Sequence, residues 1–275
     1  MCVTFLYTRA PGVTNTPWKL IILNSRDEVL ARKTSGAAWE NGILAGRDEE
    51  APDRGTWFGV NRSGKAGILL SITEPKAAKN PQAPSRGAIV TDYLHSPVGL
   101  DAFTANLVTA STQYNGFQFV GIEPSKDSFR VRSIAHKYVS VVEPLEWEYG
   151  IHGFGNSPPS MPYKKVTHGV DLFEKAVRAA RNEKELVEGL FSVATDTTSC
   201  APDHQLELQT GLDGAHCEFL TSLFVKEHLG YGTRSHSIYL VSDSNEAVFI
   251  EKRLTSEGSN IDGVWETTEF RFNLS

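Results

Sequence analysis

The chain opens with two short apolar runs around a polar loop. Met1-Cys2-Val3-Thr4-Phe5-Leu6-Tyr7-Thr8 is followed by the Pro-, Gly- and Asn-containing segment from Arg9 to Pro17, then by Trp18-Lys19-Leu20-Ile21-Ile22-Leu23. This pattern predicts a β-hairpin. Strands apolar on both faces belong inside a sheet, so the hairpin is expected to be central. The second run ends in a charged cluster, Arg26-Asp27-Glu28. Charges at the end of a buried strand need partners, so Arg26 and Asp27 are expected to serve each other or a ligand.

From Glu28 to Arg54 the chain is polar, with Trp39, Gly42 and Gly46, and reads as loop with short strand fragments. A second hairpin begins at Gly55 to Phe58, turns at Asn61-Arg62-Ser63-Gly64 and returns over Lys65 to Ile72. Gly67 in the return strand marks a bulge or a close backbone approach. Glu74 to Arg86, with three Pro, three Ala and three basic residues, reads as a mobile surface loop beside a strand end, where a lid is one use. Helical spacing predicts helices over Gly87 to Ser96 and Leu100 to Ala110. Strands are expected at Gly116 to Glu123 and Phe129 to Ser133 around a Pro124–Asp127 turn, then at Val139 to Val142 and Tyr149 to Gly153. The run from Gly153 to Pro159 is a turn, because its glycines permit and its prolines fix unusual backbone.

Lys164 to Arg181 carries an apolar stripe, Val166, Val170, Phe173, Val177 and Ala180, and is the longest expected helix. Asn182 and Glu185 form a capping-box signal for the next one, which runs to about Thr195. Asp196 to Ala215 reads as irregular. Strands then follow at Phe219 to Lys226, His236 to Ser242, Ala247 to Arg253 and Glu266 to Leu274. Strands at both ends with helices between them give an α+β pattern with antiparallel pairing, the first and last strands sharing a sheet. No linker divides the chain, so residues 1–275 are expected to form one domain.

Composition narrows the function classes. There are 27 basic and 33 acidic residues, a net charge of −6, and no Lys/Arg run, which argues against nucleic acid as a partner. The longest apolar runs fall far short of the roughly 18 residues of a membrane span, and no secretory leader pattern is present. Three cysteines, at 2, 200 and 217, suggest neither a disulfide framework nor a zinc site, and fit a reducing compartment such as the cytoplasm.

Cys2 is the candidate nucleophile. A small residue at position 2 allows Met1 to be removed, leaving a thiol and a free α-amine on one residue. That amine, with a reference pKa near ~8, can serve as the thiol's base. The competing reading is a buried structural cysteine.

Five separated motifs then carry a resemblance. They are Gly55-Thr56-Trp57-Phe58-Gly59, Tyr114-Asn115-Gly116-Phe117, Gly155-Asn156-Ser157, Tyr231-Gly232-Thr233-Arg234 and Trp265-Glu266-Thr267. With Ser25-Arg26-Asp27-Glu28 at the end of the first hairpin, the chain resembles the Transport and Golgi organisation protein 2 family, also named for Asn-Arg-Asp-Glu. Ser25 stands where that motif has Asn.

The resemblance implies an N-terminal-nucleophile-hydrolase-like fold, a four-layer αββα sandwich of antiparallel sheets. It implies a site of Cys2, Arg26, Asp27, Asn156 and Arg234, with Ser71 as a second oxyanion donor. In that scheme Asp27 orients the amine, Cys2 attacks an amide or thioester, Asn156 donates to the oxyanion and Arg234 holds the site's negative charges.

It also implies haem trafficking, with haem as cargo and no required cofactor or metal. The rival readings are an acyl amide or acyl-CoA hydrolase and a factor in Golgi organisation. The expected location is the cytoplasm, in association with mitochondria or Golgi. His152, His228 and His236 lie near the motifs and are read as surface or hydrogen-bonded histidines, not axial haem ligands.

Overall fold

The computed structural model describes residues 1–256 and 259–275. Thirteen strands among these residues form two antiparallel sheets, numbered here along the chain. The first sheet has the order Gly150–Phe154 (β10), Val3–Thr8 (β1), Trp18–Val29 (β2), Tyr231–Ser242 (β11), Glu246–Leu254 (β12), Trp265–Asn273 (β13). The opening hairpin is therefore interior, and the first and last strands share a sheet. The second sheet runs Thr34–Glu40 (β3), Ile43–Asp48 (β4), Phe58–Asn61 (β5), Ala66–Ser71 (β6), Phe117–Ser125 (β7), Ser128–His136 (β8), Leu145–Trp147 (β9).

Three apolar cores define the layers. Phe5, Ile21, Leu23, Ile238 and Leu240 on one face of the first sheet pack against helices Lys164–Ala179 (α3) and Glu183–Ala194 (α4). The alternate residues Leu20, Ile22, Tyr239 and Phe249 face the second sheet, where Phe58 stacks on Phe249 at 5.5 Å between ring centroids. The outer face of the second sheet packs on Gly87–His95 (α1) and Leu100–Ala110 (α2). The period-2 alternation of a strand serves two cores at once, and the result is the αββα sandwich.

Close approach shapes the outer layers. Gly59, Gly67 and Gly121 face one another across β5, β6 and β7. A Cβ on Gly67 would stand 3.1 Å from Val90, and one on Gly121 only 2.4 Å from Leu100. This row of hydrogens lets α1 and α2 settle onto the sheet, so Gly67 marks close approach.

The sequence expectations differ from the structure in four segments and at one helix cap. Residues 34–48 form the full hairpin β3–β4, turned by Asn41 and Gly42 at positive φ. Residues 139–142 form no strand: Lys137 and Tyr138 take positive φ after β8, and pairing resumes at β9. Residues 219–226 are apolar but irregular. Their backbone bonds go to Asp196 and Thr233 in place of a ladder, Phe224 N–H to the Asp196 carbonyl at 2.8 Å and Val225 N–H to Thr233 Oγ1 at 2.8 Å. The segment 196–215 contains two short helices, His204–Thr210 (α5) and Gly214–Cys217 (α6), capped by the Asp203 and Asp213 side chains. At α4, Asn182 accepts from Glu185 N–H as expected, but the Glu185 carboxylate accepts from Arg181 N–H at 3.0 Å instead of closing the box on Asn182.

Candidate active site

The site lies where β1 begins and β2 ends, because antiparallel pairing puts Val3 opposite Ser25 and carries Met1 and Cys2 alongside Arg26 and Asp27. Alternation then sends neighbours to opposite faces. Met1, Val3 and Phe5 belong to the helix-side core, whereas Cys2 packs against the core between the sheets.

Arg26 and Asp27 separate in the same way and do not serve each other, contrary to the first of the two sequence expectations. The Arg26 guanidinium lies 4.3 Å from the centre of the Trp57 ring and its Nη2 is 3.3 Å from Glu28 Oε2. Asp27 turns toward α3, where its Oδ2 pairs with the Met1 α-amine at 3.0 Å and its Oδ1 accepts from Thr233 Oγ1 at 2.6 Å. Trp57 in turn fits because Gly46 has no side chain: a Cβ there would come within 2.8 Å of the indole.

The first residue is held from several directions. Its amine also donates to the Tyr231 hydroxyl, and its carbonyl accepts from Lys165 Nζ at 3.0 Å. Lys165 Nζ donates to the Ser222 carbonyl at 3.1 Å and stands 3.9 Å from Asp27 Oδ2. Burial lowers the pKa of both the α-amine and Lys165, against the opposing pull of Asp27. Burial raises that of the Cys2 thiol, whose Sγ lies 3.6 Å from the Asp27 carbonyl. Tyr231 is raised well above its ordinary value, first by burial and then by Asp27. With Met1 in place, the thiol is protonated and Asp27 is engaged with the Met1 amine.

Asn156 and Ser71 are brought together on the wall of one cavity, joined through the Ser71 backbone. Asn156 Nδ2 donates to the Ser71 carbonyl at 2.6 Å, so one amide hydrogen is occupied and one is left. The Asn156 backbone carbonyl is fixed by Thr73 N–H at 2.9 Å, Tyr163 Oη at 3.2 Å and Gln209 Nε2 at 3.2 Å. The turn that carries Asn156 is therefore rigidly placed between the two sheets.

Arg234 takes a different post from the expected one. It sits at the β-bulge between Thr233 and Ser235 and donates to the carbonyls of Val29 (3.2 Å) and Arg32, tying down the turn after β2. Burial, with Arg26, Arg253 and Arg32 nearby, lowers it to about 10. It stands behind the cavity lining, where the Glu28 carboxylate pulls against that lowering.

Cys2, Arg26, Asp27, Ser71 and Asn156 all line one cavity of about 810 Å³. The segment after β6 supplies a wall through Lys79, Pro84 and Arg86, as a loop poised beside a strand end would. Arg26, Arg32, Lys79 and Arg86 line it together with Glu28, Asp48 and Glu50, while Trp57, Leu69 and Leu220 give it apolar wall. Among the described residues no cluster of three His, Cys, Asp or Glu is placed to hold a metal ion. No described helix is long and apolar enough to cross a membrane. His236 is hydrogen-bonded, its Nδ1 2.9 Å from Ser25 Oγ, and His152 Nε2 lies 2.7 Å from the Glu148 carbonyl.

Sequence reasoning missed Lys165, Tyr231 and Thr233 as site residues. For Lys165 a signal existed: it shares a buried face with Gly169, one turn on in an otherwise apolar stripe. For the other two, the Tyr231–Arg234 motif was visible but no role was attached to its first and third positions.

Comparison with known proteins gives a consistent result. Residues 1–256 match the family model described as Transport and Golgi organisation 2. The Drosophila melanogaster Transport and Golgi organization protein 2 is 35% identical over 292 residues, covering 98% of this chain and 96% of the fly protein. The human homolog is 27% identical over 286 residues, covering 100% and 99%. A crystal structure of a variant of conjugated bile acid hydrolase from Clostridium perfringens aligns over 100% of this chain and 98% of its own, at 10% identity and a TM-score of 0.42, too distant to bear on what the cavity does.

Proposed function

We propose a function on the premise that this chain belongs to the Transport and Golgi organisation 2 family. The reading is an N-terminal cysteine acyl hydrolase. Once Met1 is removed, Cys2 attacks the carbonyl carbon of an acyl amide or acyl thioester held in the cavity. The observation that carries this reading is that Cys2, its Sγ 3.6 Å from the Asp27 carbonyl, lines the same cavity as Asp27 and Asn156.

The chemistry balances without a further reactant except water. The thiol proton passes to the Cys2 α-amine, which Asp27 orients, and a carbon–sulfur bond forms. The remaining Asn156 amide hydrogen faces the developing oxyanion, an interaction that can contribute about 3 kcal/mol. The bond to the leaving amine or thiol breaks as that group takes the proton. Water then cleaves the thioester and frees the carboxylic acid and Cys2.

Haem carriage is the second reading, and the cavity gives it a specific basis. Its volume falls in the range of small-molecule sites, about 300–1,000 Å³. Lys79 and Arg86 bring positive charge to its wall for carboxylates, and the Met1 thioether, Cys2 thiol and Tyr231 phenol are ligand types that haem iron accepts. The relatives are named for transport and Golgi organisation. We place the small-molecule step beneath that role, in the cytoplasm with association to Golgi or mitochondria.

The test starts from intact mass, which establishes whether Cys2 carries the α-amine. Purified protein and Cys2→Ala are then assayed against acyl-CoA and N-acyl amides, and titrated with haem while the Soret band is followed. Turnover lost in Cys2→Ala supports the hydrolase. Turnover that survives the change excludes Cys2 as nucleophile. Haem transfer to an apo-acceptor at the same rate with and without the protein excludes carriage.

A further inference from the structure

The reaction outlined above leaves one buried charge without a task. Lys165 lies at 1% exposure in α3, on a face that otherwise packs against the first sheet. An ammonium there is accommodated by two carbonyls, those of Met1 and Ser222, and by the nearby Asp27 carboxylate. It is not held by a surface partner, and it reaches the very peptide that joins Met1 to Cys2.

We propose that Lys165 is the positioning residue of the site: it fixes the first peptide unit beside Asp27 and opposes a second positive charge there. The inference rests on reading Cys2 as the nucleophile. In a trans amide, oxygen and nitrogen are about 2.3 Å apart, so an ammonium 3.0 Å from the Met1 carbonyl oxygen stands within roughly 5.5 Å of the Cys2 nitrogen. When Met1 leaves, that nitrogen becomes the amine that must accept the thiol proton, and only its uncharged form can do so. Asp27 alone would hold the amine protonated. Lys165 shares Asp27 with it and restores the balance.

Charged and titratable groups approach this point from each neighbouring element. Asp27 comes from β2, the Cys2 thiol from the start of β1, and Tyr231 and His236 from β11. Cys200 and Asp203 reach Lys165 from the segment before α5. Lys165 is the cation that acts directly on the amine, in the same direction as burial.

The experiment reads the amine itself. The purified full-length protein, Lys165→Gln and Lys165→Met are titrated by competitive reductive methylation, with the N-terminal peptide identified by mass. Gln keeps hydrogen-bond donors and loses the charge, whereas Met loses both. Thermal melts report whether each variant folds. The α-amine of the unchanged protein is expected to titrate below the ordinary value near ~8. In both variants it rises by at least about one unit, a tenfold loss of free amine at lower pH. The acidic limb of kcat/KM moves up with it while KM holds.

An unchanged protein whose amine titrates at or above the ordinary value overturns the proposal, whatever the variants do. So do folded variants that titrate like the parent. The mass identifies whether Met1 or Cys2 bears the amine. A shifted amine without acyl turnover therefore refutes the nucleophile and keeps the role of Lys165, whereas turnover with an unshifted amine does the reverse.

Discussion

Asp27→Asn would remove one negative charge from a place where two positive charges meet. The carboxylate is 3.0 Å from the α-amine and 3.9 Å from Lys165 Nζ, all three groups being buried. At an effective dielectric of ~20 these separations correspond to roughly 5.5 and 4 kcal/mol of gross attraction. Desolvation offsets most of it, and removing one partner of a buried pair costs about 3–5 kcal/mol net. For a chain of 275 residues that is a fall in melting temperature of about 5–9 °C.

The loss has a pH signature. Lys165 already has its pKa lowered by burial, and without Asp27 it falls further. The unfolded state then binds more protons than the folded one between the folded and unfolded pKa values, so the variant gains stability as pH rises. Urea unfolding followed by tryptophan fluorescence at pH 6 and pH 9 should show the larger penalty at pH 6. In Asp27→Asn/Lys165→Met part of the loss should return, because no unpaired ammonium remains on the lysine. A single variant within 1 kcal/mol of the parent, or a double variant equal to the sum of the singles, would refute the reasoning.

Other expectations follow from particular contacts. Gly169→Ala should lose about 1–3 kcal/mol in a urea titration, since its Cβ would stand 2.1 Å from the Phe5 ring. Asn156→Ala removes the bond to the Ser71 carbonyl and, on the hydrolase reading, should lower kcat about 100- to 1,000-fold with a smaller change in KM. His236 is lowered by burial to about 4, so it stays neutral in the fold while the unfolded chain takes up a proton below its ordinary value. Stability should therefore fall by about 3 kcal/mol between pH 6.5 and pH 4 on its account, a slope that unfolding of His236→Asn at matched pH values should lack.

Much of the fold is legible wherever a run keeps one period. The β1–β2 hairpin, α1, α2 and α3 each show a sustained apolar pattern, broken on the buried helix faces only by Thr104 in α2 and Lys165 in α3. The hairpin β3–β4 is hidden because Gly36, Gly42 and Gly46 interrupt its run, and at Gly46 the missing side chain is the reason Trp57 can pack. Residues 219–226 mislead in the opposite sense: burial makes them apolar, while their backbone is bonded to loops and side chains.

The same division holds for the site. Cys2, Asp27 and Asn156 could be placed because each ends or follows a readable strand. That Arg26 faces away from Asp27 follows from strand alternation alone. Arg234 could not be placed, because a bulge resets the alternation at that position. Lys165 enters from a helix far along the chain, and no local pattern links it to residue 27.

The central position of β2 has a consequence for synthesis on the ribosome. Its partner β11 begins 204 residues after Asp27. At about 5–20 residues per second, the opening hairpin waits roughly 10–40 s with one edge unpaired. Tyr231 of β11 meets the Met1 amine, so the first residue is fully enclosed only once β11 docks. Any removal of Met1 would then compete with that docking, and slowing elongation over residues 30–230 should raise the fraction of molecules that begin with Cys2, read by intact mass.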